Sequence, residues 1–181
     1  FISNIKDVLS QGQRREMAIA AFSFVGMQSV YTNFTITYLY EDLGFSLEEA
    51  GEILGFATLI AIPARILWGW VGSTLFQPRA LLAFLALVMA VSTALMGAFD
   101  DQWSHIAVLI VNCAISLSVL SWHGVLLSEA ARLAPAGEAG RFTGGVLAFG
   151  ALGQIIFPMI FAAGYWLSGY GLSFTVISIP A

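Results

Sequence analysis

Residues 80–99 read ALLAFLALVMAVSTALMGAF, and this stretch decides how the rest of the chain is read. It holds no charged residue, and Ser92 and Thr93 are its only hydrogen-bonding side chains. An α-helix needs about 20 predominantly apolar residues to cross a hydrocarbon core roughly 30 Å thick. Working outward, residues 17–40, 50–71, 103–127 and 143–166 meet the same requirement, and a further apolar run starts near Leu172 and is cut off at Ala181. The chain is therefore expected to be an all-α integral membrane protein that spans the bilayer at least five times, with a transmembrane bundle over 17–181. Its first residue is Phe1 and its last apolar run is unfinished, so the sequence reads as a piece of a longer protein.

Composition supports the same class. Of 181 residues 59% are hydrophobic and 10% charged, against roughly 25% charged in soluble domains. So little charge cannot cover a water-soluble globule, and so much aliphatic and aromatic residue excludes disorder. Cys113 is the single cysteine, so no disulfide framework or metal-knuckle spacing exists to be read. A net charge of −4 without basic clusters argues against nucleic acid as a partner. The partner that hydrophobicity demands is the lipid bilayer.

Charges alternate between connections. Lys6, Arg14 and Arg15 precede the first span; Arg65 and Arg79 lie around the second connection; Arg132 and Arg141 lie in the fourth. Glu41, Asp42, Glu48, Glu49 and Glu52 follow the first span, and Asp100 and Asp101 the third, with no Lys or Arg among them. Positive residues stay inside, so a cytoplasmic N-terminus is expected. The expected location is a cell membrane, multi-pass, of the bacterial inner-membrane kind. Within 1–16, Phe1, Ile2, Ile5, Val8 and Leu9 recur at helical spacing. This suits either a helix lying on the cytoplasmic surface or a solvated linker.

Two connections carry a resemblance. Residues 64–82, ARILWGWVGSTLFQPRALL, resemble the short cytoplasmic loop between helices two and three of each half of the major facilitator superfamily. That family pattern is a Gly, three residues, an Asp, and then basic residues. Gly69 matches the Gly, Arg65 the Arg often found before it, and Arg79 the basic end. Ser73 stands where the Asp would be and Thr74 where the following Arg would be, a departure that favours the C-terminal half. Residues 128–164, SEAARLAPAGEAGRFTGGVLAFGALGQIIFPMIFAAG, resemble the helix-ten loop and helix eleven, and residues 31–51 the end of helix seven with its loop. The resemblance implies half of a twelve-helix transporter, helices seven to eleven and the start of twelve. Its partner would be the N-terminal half of the same chain, with solute bound near the midplane between halves. Arg65, Gly69, Ser73 and Arg79 become the expected gating-loop residues.

Candidate chemistry is sparse. HExxH, GxSxG and phosphate-loop patterns are absent, so no catalytic residue, metal ligand or cofactor is expected. His123 and Glu129 are the one acid/base pair near a helix end, but six residues apart on a helix they face different ways. Arg65 is the charge that falls within an apolar segment, where it either snorkels and clamps a loop or attracts an anionic substrate. Pro63 and Pro158 free the carbonyls of Leu59 and Gln154. A kink at Pro158 is expected, and the small-residue stripes Gly51/Gly55 and Gly140/Gly144/Ala148 are expected to be helix contacts.

Polar side chains within spans mark the expected solute path. Gln28, Tyr31, Thr32 and Thr35 fall at i, i+3, i+4 and i+7 of the first span, Asn112 and Ser116 at i and i+4 of the fourth, and Gln154 at the middle of the fifth. Lipid cannot satisfy such groups, so they meet another helix or a water-filled cavity. The function this supports is secondary active transport of a small organic solute, an organic anion among the candidates, by alternating access. A membrane sensor or scaffold with a transporter-like fold is the alternative, and an intramembrane enzyme fits least.

Overall fold

The computed structural model describes residues 12–100 and 102–179, and these form six helices joined by short connections. They are α1 Gly12–Glu41, α2 Leu47–Thr74, α3 Pro78–Gly97, α4 His105–Val119, α5 His123–Leu133 and α6 Ala139–Ile177. The surface helix or linker expected over 1–16 lies outside the described residues except for 12–16, which open α1.

Local chemistry sets the helix starts. Ser46 closes a capping box at the start of α2: its hydroxyl accepts from the Glu49 amide at 3.2 Å, and the Glu49 carboxylate accepts from the Ser46 amide at 2.8 Å. Ser104 caps α4 through the Ala107 amide, and Pro78 opens α3 at a position where no amide is needed.

Among the described residues four segments are long and apolar enough to cross a membrane: Leu47–Thr74, Pro78–Gly97, His105–Leu133 and Ala139–Ile177. The third runs through α4 and α5 in series. α1 has the length, 30 residues, but its Ser, Thr, Asn and Gln side chains hold its hydropathy below that of the others.

α1 and α6 pack against each other along most of their length. Gly153 lies against the Phe22 carbonyl of α1, Gly26 lies under the Phe157 ring, and a Cβ on Gly150 would sit 2.8 Å from Val25 Cγ2. Hydrogen at these positions lets two backbones approach closely, which is how helices associate in lipid. The expected stripes are elsewhere: Gly51, Gly55, Gly140 and Gly144 have open space where a Cβ would point. Small residues permit close approach but do not choose which face is covered.

The bend in the last element falls at Gly169, not at Pro158. Helical dihedrals continue through Pro158, whereas Gly169 takes φ 78° and ψ 179°, a region essentially restricted to glycine that costs other residues roughly 1–3 kcal/mol. After Gly169 the chain folds back, so that Phe161 meets Phe174 edge-on with ring centroids 4.6 Å apart and Tyr165 packs at a tilt on Tyr170 at 4.3 Å. The returning arm sits on the end of α3, where Gly97 and Gly171 face each other with no room for a side chain on either. The carbonyl that Pro158 frees, Gln154 O, accepts from Ser29 Oγ of α1 at 3.2 Å. That satisfies the backbone and leaves the helix to continue.

The two ends of the bundle differ in charge. Arg14, Arg79, Arg132 and Arg141 gather at one end, while Glu41, Asp42, Glu49, Asp100 and His105 lie at the other.

Candidate functional site

Three polar constellations lie along the bundle. The first is the interior network between α1 and α4. Tyr31 is 3% exposed and Asn112 and Ser116 are fully buried. The Tyr31 hydroxyl lies 3.2 Å from Asn112 Oδ1 and 3.1 Å from Ser116 Oγ, while Asn112 Nδ2 donates to Val108 O at 2.9 Å. Thr35 is also buried and donates to Tyr31 O at 2.6 Å. Tyr31, Asn112 and Ser116 are therefore brought together and bond one another across α1 and α4, whereas Thr35 bonds the backbone of its own helix. Thr32 is exposed but turns its hydroxyl to Gln28 O at 2.9 Å. Gln154 is exposed on α6, and Gln28 is half-buried with Oε1 buried and without a hydrogen-bond partner among the described residues.

The second constellation is a break in the span that continues α4 into α5. Residues 120–122 leave the helix, and side chains of α2 take up the carbonyls released there. Trp68 Nε1 donates to Leu117 O at 2.8 Å and Arg65 Nε to Leu120 O at 2.8 Å, with Ser121 Oγ 3.4 Å from Ala61 O. Arg65 is anchored by one nitrogen on an exposed face of α2. Its guanidinium carries further donors that these contacts do not use. The serine-rich run before Trp122 is the only sequence hint of the break.

The third lies at the basic end, where Glu129 is fully buried. Arg132 Nε and Nη2 reach its two oxygens at 2.7 Å each, and Arg79 Nε reaches Oε1 at 3.1 Å. Glu16 of α1 lies 3.9 Å from Arg79, and Arg14 donates to Leu133 O at 3.2 Å while lying over the Phe142 ring. Glu129 lies on α5 and ties α3 to α5. Of the gating-loop residues, Arg79 joins this cluster. Ser73 closes on Trp70 O of its own helix at 2.9 Å, and Gly69 faces open space.

Comparison with known proteins decides the family. A model described as Major Facilitator Superfamily matches residues 1–158. The chain belongs to the major facilitator superfamily. It is 34% identical over 138 residues to the "Probable nitrate/nitrite transporter NarK2" of Mycobacterium tuberculosis, in both strain CDC 1551 / Oshkosh and strain ATCC 25618 / H37Rv. The match covers 75% of this chain and 33% of each relative, so the chain spans about a third of their length. No solved structure matches significantly. Arg65 lies within α2 and Arg79 in the first turn of α3, on either side of the connection at 75–77. Yet here they join different constellations, one at the helix break and one at the buried carboxylate.

Proposed function

We propose that this chain forms one wall of an alternating-access secondary transporter for a small oxyanion of the nitrate or nitrite type, with Arg65 as the group that meets the anion. The observation that carries the reading is Arg65 itself, an arginine within an apolar helix, anchored through Nε at 2.8 Å with the rest of its guanidinium free to reach outward. A planar fork of N–H donors matches a planar oxyanion, and Arg is less strongly hydrated than Lys. A charge in an apolar span is costly and is kept where a pathway uses it. The relatives named as nitrate/nitrite transporters favour an inorganic anion over the organic one expected from sequence.

Gln28, Thr32 and Gln154 supply neutral polar groups for the same path, while the Tyr31 network stiffens its wall. The basic end faces the cytoplasm of a bacterial inner membrane. A second half of the same protein closes the pathway, and the bilayer surrounds both.

The test uses the full-length protein in proteoliposomes. Arg65→Gln and Arg65→Lys should each lower nitrate uptake at least about tenfold, the loss of one charge-assisted bidentate contact, when compared at equal amounts of folded protein. Uptake at wild-type rate and affinity by Arg65→Gln would overturn the reading.

A further inference from the structure

Two donors of α2 meet two carbonyls of α4 in matched register. Arg65 and Trp68 stand at i and i+3, so they share one face of α2, and the carbonyls they hold, Leu120 and Leu117, are likewise i and i+3 partners on α4. Both bonds are 2.8 Å long. Ser121 Oγ adds a third rung in the opposite sense, 3.4 Å from the carbonyl of Ala61, one turn before Arg65.

The order of these bonds along α4 gives Trp68 leverage over Arg65. α4 ends at Val119, and the amide of Leu120 closes on Ser116 O. The last carbonyls of a helix have no amide of their own helix to bond, so what holds them from outside sets where they point. Trp68 holds the final turn at Leu117, and Leu120 O on that same turn receives Arg65 Nε. The indole is braced in its turn: it is half-buried, and its ring meets Phe84 of α3 edge-on with centroids 6.3 Å apart. Restraint therefore runs from α3 through Trp68 to the end of α4 and on to the guanidinium. An arginine held at Nε keeps its remaining N–H donors in a fixed fork. One whose acceptor has shifted keeps its charge but spreads over several rotamers.

We propose that Trp68 is a positioning residue of the anion site: by fixing the last turn of α4 it aims the Arg65 fork at the oxyanion. Two parallel N–H···O bonds demand that donors and oxygens share a plane, and a fork that wanders meets this demand only part of the time. Trp68 does not itself touch the anion. Its effect passes through Leu117, Leu120 and Arg65, and it falls on anion affinity and leaves the rate of the loaded transporter alone.

This role rests on Arg65 meeting the anion, and one set of variants separates the two. Initial rates of nitrate uptake are measured over a range of nitrate concentrations in proteoliposomes of the full-length protein, per amount of folded protein. Trp68→Phe keeps an aromatic ring without the N–H; its KM should rise about three- to tenfold, the equivalent of one neutral hydrogen bond, with the maximal rate within about twofold of wild type. Trp68→Leu also lacks the N–H and should give the same split, so the test does not depend on how a phenyl ring packs there. Lysine has no fork to aim, so in an Arg65→Lys background Trp68→Phe should raise KM by less than about twofold. A lower maximal rate at unchanged KM would mean that Trp68 only supports the fold, and an equal KM rise in both backgrounds would mean that it does not act through Arg65; either result overturns the proposal. Wild-type KM in Arg65→Lys alone instead overturns the reading beneath it.

Discussion

Glu129 has no surface in contact with solvent, yet it holds two arginines that are themselves 32% and 63% exposed in their side chains. The buried partner sets the energetics. Removing an arginine leaves a carboxylate that water cannot reach, whereas removing the carboxylate leaves arginines that can rehydrate. Arg79→Ala combined with Arg132→Ala should therefore destabilise the fold by about 3–5 kcal/mol, more than Glu129→Ala does. Each single arginine variant should cost less than half of the double, because the remaining arginine still pairs the charge. Thermal unfolding of the four purified proteins in detergent decides this. Equal losses in the double variant and in Glu129→Ala would show that the carboxylate is not the group at risk.

At the scale of elements, the helices are held by close backbone crossings and by side chains that answer exposed carbonyls. Ser29 bonds the carbonyl that Pro158 frees, and Arg65 and Trp68 bond those released at the end of α4. Both devices let a helix deviate inside lipid, where an unsatisfied carbonyl costs several kcal/mol. The α1–α6 crossing is the tightest contact. Gly153→Ala places a methyl group on the Phe22 carbonyl and should cost about 1–3 kcal/mol as overpacking, while Gly55→Ala and Gly144→Ala should be nearly neutral in stability. Melting temperatures of the three variants check the contrast. Equal effects would mean that the stripes of α2 and α6 are as closely packed as the crossing.

For the whole molecule, the segregation of charge orients the bundle. The arginine cluster around Glu129 should face the cytoplasm and the acidic cluster around Glu49 and His105 the outside. A cysteine introduced at Gln102 should react with an impermeant thiol reagent on intact cells, and one at Gln77 only after permeabilisation. The reverse pattern would invert the topology. Such labelling needs Cys113 replaced first, since it is partly accessible.

Membrane residence, helical class, charge alternation and family were legible from residues 80–99 outward, because twenty apolar residues in a row admit few structures and lipid penalises each unsatisfied backbone group. The polar stripe Gln28, Tyr31, Thr32 and Thr35 was legible as a set of groups needing partners, but not which partner each would find. Periodicity places a side chain on a face of its own helix, and only the tertiary arrangement says what lies opposite. Packing of α1 against α4 turned Tyr31 to Asn112 and Ser116, and packing of α5 against α3 buried Glu129 between two arginines. The bend at Gly169 and the break at 120–122 were hidden for the same reason. Prolines announce a lost hydrogen bond in sequence, but whether a helix continues depends on donors from neighbouring helices, and those are set by contacts between residues far apart in the chain.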